Sequence, residues 1–314
     1  MPQIKHIEHP EDTILNGDLS VLNWFTTEGK LSLKIDGCPA IVWGTNPENG
    51  KFFVGTKSVF NKVKKMICHS HEEIDILYAD KEDLAEKLHI CLDELPHTNN
   101  IYQGDLIGVG GDDYYQPNTI GYLFPDKITH KLIIAPHTEY YIDQFSGNTL
   151  VDTIAKPLEH ELDSVTDSVL FMQCDSVGRF QDSIRERVQF AKQIATMVNF
   201  TDNKTTAKIK KSINYCIRMG HRFTEENIIR IANEHNIDVN LMRLWKLVRS
   251  IKLDALAMCE NNAWWTSYDD SDECDGEGYV MWNKWGTYKL VDRDEFSRLN
   301  FLTTGDWTPK KLSQ

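Results

Sequence analysis

The feature that most constrains this fold is a change of period near residue 181. Ile184, Val188, Ala191, Ala195 and Val198 recur at the spacing of one helix face. So do Ile209, Ile213 and Ile217, and then Leu241, Leu244, Val248 and Ile251. Apolar residues every three to four positions give a helix one stripe to bury, so residues 181–260 read as a bundle of four helices. The segments on either side have the texture of strands. Residues 31–35 alternate, 40–44 are apolar, and Asn46-Pro47-Glu48-Asn49-Gly50 is a strong turn signal before 51–56 return as a strand. Residues 10–30 read as a short helical lead-in and 71–93 as a charged amphipathic helix. Further strand candidates are 101–109, 119–124, 131–135, 169–174, 279–282 and 287–291. A helical block flanked by β segments predicts one α+β domain, residues 1–180 and 261–314, with 181–260 as an all-helical insertion.

Composition narrows the function classes. The 314 residues carry a net charge of −13, which argues against a broad coating of nucleic acid but leaves room for a local basic groove. Lys57, Lys62, Lys64 and Lys65 form one cluster, and Lys204, Lys208, Lys210 and Lys211 another. The bland reading of each is a solvated helix face. No apolar run approaches the ~20 residues of a membrane span, and Met1-Pro2-Gln3-Ile4-Lys5-His6 lacks the apolar core of a signal peptide. The seven cysteines are an odd number without a C-x-x-C pair. They read as reduced thiols, and a cytoplasmic location is expected.

Six short strings follow one another in a chemically meaningful order. Lys34-Ile35-Asp36-Gly37 closes the first apolar run. Thr56-Lys57-Ser58, Gln103-Gly104-Asp105-Leu106, Gly121-Tyr122-Leu123-Phe124 and Glu277-Gly278-Tyr279-Val280 come after it, and Tyr288-Lys289-Leu290-Val291 closes the series. K-x-D-G alone is weak, since average residue usage produces it in roughly one chain in ten to twenty of this length. The ordered set is more specific. A lysine attacks the α-phosphate of ATP only when neutral, whereas free lysine titrates at about 10.4, so the site must lower that value through burial or nearby cations. Lys289 and a bound Mg²⁺ are candidates for that environment around Lys34. Asp36 and Gly37 would shape the turn, Gly37 through access to positive φ. Lys57 and Lys289 suit developing phosphate charge, and Glu277 is the best-placed hard ligand for the metal. Asp105, expected at a strand end, suits a ribose hydroxyl, and Tyr122 or Phe124 a purine face.

On these strings the chain resembles the covalent nucleotidyltransferase superfamily of polynucleotide ligases and mRNA-capping enzymes. The resemblance covers roughly residues 31–135 and 275–292. It implies a ligase adenylation fold, ATP and Mg²⁺ as cofactors, and Lys34 carrying AMP as a lysyl-phosphoramidate. Thr56-Lys57-Ser58 and Glu277-Gly278-Tyr279-Val280 are most similar to phage-type RNA ligases. The opening, His9-Pro10-Glu11-Asp12 through Lys34-Ile35-Asp36-Gly37-Cys38-Pro39-Ala40-Ile41-Val42, also resembles ligase-like proteins of tailed phages; if the chain is phage-encoded, the host cytoplasm is its expected location. The implied partners are nucleic-acid ends, RNA before DNA, with no membrane. Three departures stand out. Asp105 replaces the family's usual Glu, and Thr287 replaces the first lysine of its closing K-x-K, with Lys284 in the preceding turn as the weaker substitute. Only about two dozen residues, 290–314, follow Lys289. That is too few for the OB domain that follows the closing motif in DNA ligases and capping enzymes, so no terminal OB domain is expected. Two alternatives stay open: a nucleotidyltransferase that joins no ends, and an inactive nucleotide-binding module.

Other motifs carry less. The acidic loop Asp269-Asp270-Ser271-Asp272-Glu273-Cys274-Asp275 is no EF-hand, because Ser271 falls at the first ligand position and Trp282 where the bidentate Glu belongs. Cys68, His69 and His71 lack a second ligand pair for zinc. Gly108-Val109-Gly110-Gly111 lacks the Lys-Ser/Thr of a phosphate loop and reads as a turn.

Overall fold

The computed structural model describes residues 7–142, 147, 149–163, 167–269 and 272–294. Residues 1–6, Asp270 and Ser271 of the acidic loop, and the chain after Asp294 lie outside the described residues. Mixed α and β structure is as expected. Among the described residues no helix is long and apolar enough to cross a membrane.

The division into domains differs from the expectation. The chain forms two compact units. Of the described residues, one comprises those of Ile35–Cys174 and Asn262–Gly276, the other those of Ile7–Lys34, Asp175–Asn261 and Glu277–Asp294. The four helices are therefore no separate insertion in a single domain made of all the β segments. The boundaries cut between Lys34 and Ile35, inside the K-x-D-G string, and between Gly276 and Glu277.

The first unit holds two sheets. In the larger, the strands run in the order Val169–Phe171, Leu132–Ile142, Ile101–Val109, Ala40–Thr45, Phe52–Gly55 and Ile67–Cys68, with Thr153–Pro157 pairing beside Leu132–Ile142. Trp43, Val54, Leu88, Cys91 and Ile134 share one buried cluster, so the helix Glu82–Glu94 lies on one face of the sheet. Val42, Phe53, Phe60 and Tyr140 form a cluster on the other face. The strand expected at 131–135 runs on through Pro136 to Ile142. The expected helix 71–93 is two helices, His71–Leu77 and Glu82–Glu94. The smaller sheet orders Asp272–Cys274, Thr266–Asp269, Ile120–Leu123 and Tyr114–Tyr115.

The second unit is a four-stranded antiparallel sheet covered by helices. Its order is Asp175–Gly178, Gly29–Leu33, Tyr279–Asn283, Gly286–Leu290. Directly paired residues share a face. Leu31 pairs with Met281, Leu33 with Tyr279, Tyr279 with Leu290 and Met281 with Tyr288, and all of these are buried. The helices Asp182–Ala195, Asn203–Arg218, Glu225–His235 and Val239–Leu256 match the periodicity of the sequence. Asp202, Thr224 and Asp238 cap three of them through side-chain bonds to the first turn, each cap worth about 1 kcal/mol. Val239–Leu256 packs on Asp182–Ala195, on the short helix Pro10–Thr13 and on the strand Gly286–Leu290. The apolar stripe of Val239–Leu256 thus packs in part on the strand that carries Lys289.

Candidate functional site

Each unit carries its own share of the residues singled out by sequence. In the helical unit, Lys34 stands one residue past the strand Gly29–Leu33. Its N–H donates to the Gly278 carbonyl at 2.8 Å, which continues the ladder. Lys30 pairs with Trp282 and Ser32 with Val280, while Val280 also pairs with Lys289 and Trp282 with Thr287. Alternation puts all of these on the face opposite the apolar one, and Lys34 continues the even-numbered series. Lys34 Nζ forms an ion pair with Glu277, whose side chain is only 5% exposed. Burial first, and then the Lys34 charge, push the Lys289 ammonium below its usual range; Glu277 and Glu8 pull the other way. Three strings that are far apart in sequence thus gather on one sheet face.

The Gly of Glu277-Gly278-Tyr279 has a structural reason. Gly278 has φ +110°, and a Cβ there would lie 2.3 Å from the Leu290 carbonyl oxygen. Only glycine fits this turn into the strand, and its carbonyl is the one that receives Lys34.

Two residues near this site carried no recognisable motif. Lys30 forms a 2.6 Å ion pair with Asp175 and lies over the Trp282 ring at 5.2 Å. Asp175 arrives on the short strand Asp175–Gly178, which sequence did not reveal. Lys284, offered as a substitute for the lysine missing at Thr287, sits in the turn at the far end of the hairpin from Lys289, with its ammonium 5.7 Å from the Trp285 ring centre. It does not take the place of that lysine. Thr287 itself shares the face of Lys289.

In the other unit, Tyr122 and Phe124 do not present the purine faces expected of them. Both are 2% exposed. Phe124 packs against Tyr115, Trp264 and Trp265. The Tyr122 hydroxyl accepts the Asp36 N–H at 2.7 Å and donates to the Asp36 carbonyl at 2.9 Å. Tyr122 therefore fixes the backbone just after Lys34, while Asn118 donates to the Asp36 carboxylate at 2.6 Å. Tyr122→Phe leaves the shape intact and strips both backbone groups of their partner. A loss of about 1–3 kcal/mol is expected in denaturant unfolding.

Gly37 is needed for a reason other than positive φ, since it is absent from the left-handed residues. A Cβ on Gly37 would sit 2.6 Å from the Leu106 carbonyl oxygen and 3.1 Å from the Asp105 Cβ. It is a close approach of two chain segments that requires glycine here. Asp105 lies in mid-strand, not at a strand end: it sits within Ile101–Val109, opposite Ala40 and Ala135, with His137 Nε2 3.6 Å from its carboxylate. Lys57 is exposed and opens the turn Lys57–Phe60, with Thr56 capping that turn. Val42 pairs with both Gly55 and Gln103, so two residues on, Lys57 and Asp105 occupy the same end of this sheet.

A magnesium ion would find one hard ligand here, Glu277. Among the described residues no group of three or more His, Cys, Asp or Glu side chains is placed to hold a metal. One buried carboxylate fits magnesium, which commonly uses one or two carboxylates and completes its shell with water and substrate phosphates.

A model of a family of unknown function (DUF6267) matches residues 4–235 and 184–304. The chain belongs to that family. Lys34, Glu277 and Lys289 all fall within the matched residues. No curated protein and no solved structure matches the chain.

Proposed function

We propose that this protein is an ATP-dependent, RNA ligase-like nucleotidyltransferase with a ligase-type adenylation fold. The observation that carries the reading is the Lys34–Glu277 ion pair on the sheet face that also bears Lys289. The partners lie 243 residues apart, and each belongs to a different one of the ordered strings.

In this reading Glu277 holds the Lys34 ammonium in the resting protein, and the ammonium gives up its proton to solvent before the attack. The neutral Nζ attacks the α-phosphorus of ATP, a P–N bond forms, and pyrophosphate leaves. Lys289 opposes the charge that develops on the phosphate. Magnesium, held through Glu277, would neutralise phosphate charge. AMP then passes to a 5′-phosphate end, and a 3′-hydroxyl displaces it. Glu277→Ala and Lys289→Ala should each slow labelling by α-labelled ATP by tenfold or more, as loss of a charged stabiliser does. Labelling at the wild-type rate in both would overturn these roles.

Thr287 favours a second reading, a nucleotide-binding module without transfer, because no other lysine replaces the missing one on that face of the hairpin. Incubation with α-labelled ATP and Mg²⁺ separates the two. Offering 5′-phosphorylated RNA to the labelled protein then separates end joining from transfer to another acceptor.

A further inference from the structure

We infer that the outer face of the helix Asn203–Arg218 binds the phosphate backbone of single-stranded nucleic acid. This helix has no acidic residue along its length and none in its first turn, yet it carries Lys204, Lys208, Lys210, Lys211 and Arg218, in a chain whose net charge is −13. Lys204, Lys208, Lys211, Tyr215 and Arg218 are all exposed. Their spacing of four, three, four and three residues confines them to an arc of about 80° at 3.6 residues per turn, in a row about 21 Å long. Lys210 points elsewhere, to Glu8.

The row runs against local helix energetics. Like charges three and four residues apart repel. A lysine in the first turn opposes the helix dipole, which favours acids there. The neighbouring helices resolve their charges in the ordinary way: Arg243 pairs with Glu225, Arg249 with Asp294, and Arg187 with Asp254. Lys204, Lys208 and Lys211 have no such ion pair among the described residues. Lys204 has the capping Asp202 carboxylate near it, but for Lys208 and Lys211 a local cost without a local gain marks a surface kept for a partner.

Charge complementarity names that partner as a polyanion. Tyr215, 54% exposed within the row, adds an aromatic platform, and a base can stack on it only when the strand is single. At about 3.4 Å per phosphate along a stacked strand, the row reaches about six of them. The choice of RNA as the strand rests on the ligase-like reading above; the surface itself does not.

The test is fluorescence anisotropy with a 5′-phosphorylated RNA dodecamer and the matched DNA, at low salt and without ATP, on the full chain. The variant Lys204→Glu/Lys208→Glu/Lys211→Glu should bind at least tenfold more weakly, and its log–log salt slope should be smaller by about 2, at about 0.7 per lost contact. Tyr215→Ala should weaken binding about fivefold or more without changing the slope. The triple variant should still be labelled at Lys34 by ATP. Failure of labelling in every form, with RNA binding still lost in the triple variant, would reject the ligase-like reading and leave the surface standing. Four results would overturn this inference: no binding by the wild type, binding unchanged in the triple variant, loss produced instead by Lys62→Glu/Lys64→Glu, or competition by polyglutamate as strong as by RNA, which would indicate an acidic protein partner.

Discussion

Lys34→Ala should accept no covalent label from α-labelled ATP, and Lys34→Arg none either. The first removes the amine that pairs with Glu277. The second keeps a cation for Glu277, so the sheet face remains neutralised and the thermal midpoint should stay close to the wild type. A guanidinium remains protonated and cannot attack phosphorus. Loss of label in a folded Lys34→Arg protein therefore reports chemistry and not collapse. Lys30→Ala is the matched control. Lys30 lies four residues earlier on the same face and is tied to Asp175, so its loss should leave the label in place. Peptide mapping locates the modified residue, and a label on either Lys34 variant at the wild-type level would remove Lys34 as nucleophile.

The sequence shows some of this arrangement and hides the rest for identifiable reasons. The four helices are legible because each must bury an apolar stripe, and a 3.6-residue period records that need directly. What the stripe packs against is not recorded. Leu244 and Leu290 are both buried in the same unit, yet nothing in either segment names the other, and the helices therefore read as an insertion. The strand through Leu132–Ile142 is cut short at Pro136 because proline ordinarily ends or edges a strand. Here it sits at a register irregularity opposite Gly104, where the ladder is already interrupted. Glu277 and Lys289 are legible as members of ordered strings, since chain order survives folding. Asp175 is not, because a lone acid on a four-residue strand looks like any surface carboxylate. Tyr122 is legible as a residue that matters but not in its role: an aromatic in a Gly-Tyr-Leu-Phe string suggests a ring face, whereas the structure uses its hydroxyl.

The second large effect is expected far from any motif, in a buried charge cluster of the helical unit. Lys252 and Glu11 are both fully buried and joined at 2.8 Å. Arg293 reaches Asp12 at 3.0 Å and donates to Asn214 at 2.6 Å, and Trp245 Nε1 donates to Asp12 at 3.0 Å. Four chain segments meet here: the start of the unit, the helix Asn203–Arg218, the helix Val239–Leu256, and the chain just after Lys289. Lys252→Met fills the space but leaves the Glu11 charge opposed chiefly by Arg293, and removing one partner of a buried pair costs about 3–5 kcal/mol. Burial pushes the Glu11 carboxyl up, but the charges around it, Lys252 first, overcome it and hold it at about 2, against 4.5 as the ordinary value. A depressed carboxylate contributes stability above its unfolded value and loses it as pH falls toward its folded value, here between about 4.5 and about 2. His9 is also depressed, by burial first and then by Arg293. It is held neutral, and its share fades as pH falls below 6.5, the ordinary histidine value. Asp12 acts in the opposite sense, because burial lifts it against the pull of Arg293. Thermal unfolding should therefore show the wild type losing stability on acidification from pH 7 to pH 3. The gap between wild type and Lys252→Met should narrow over the same range, because a Glu11 that becomes protonated no longer needs the ammonium. A gap that stays constant from pH 7 to pH 3 would show that Lys252 contributes packing at this position and not the charge that Glu11 requires.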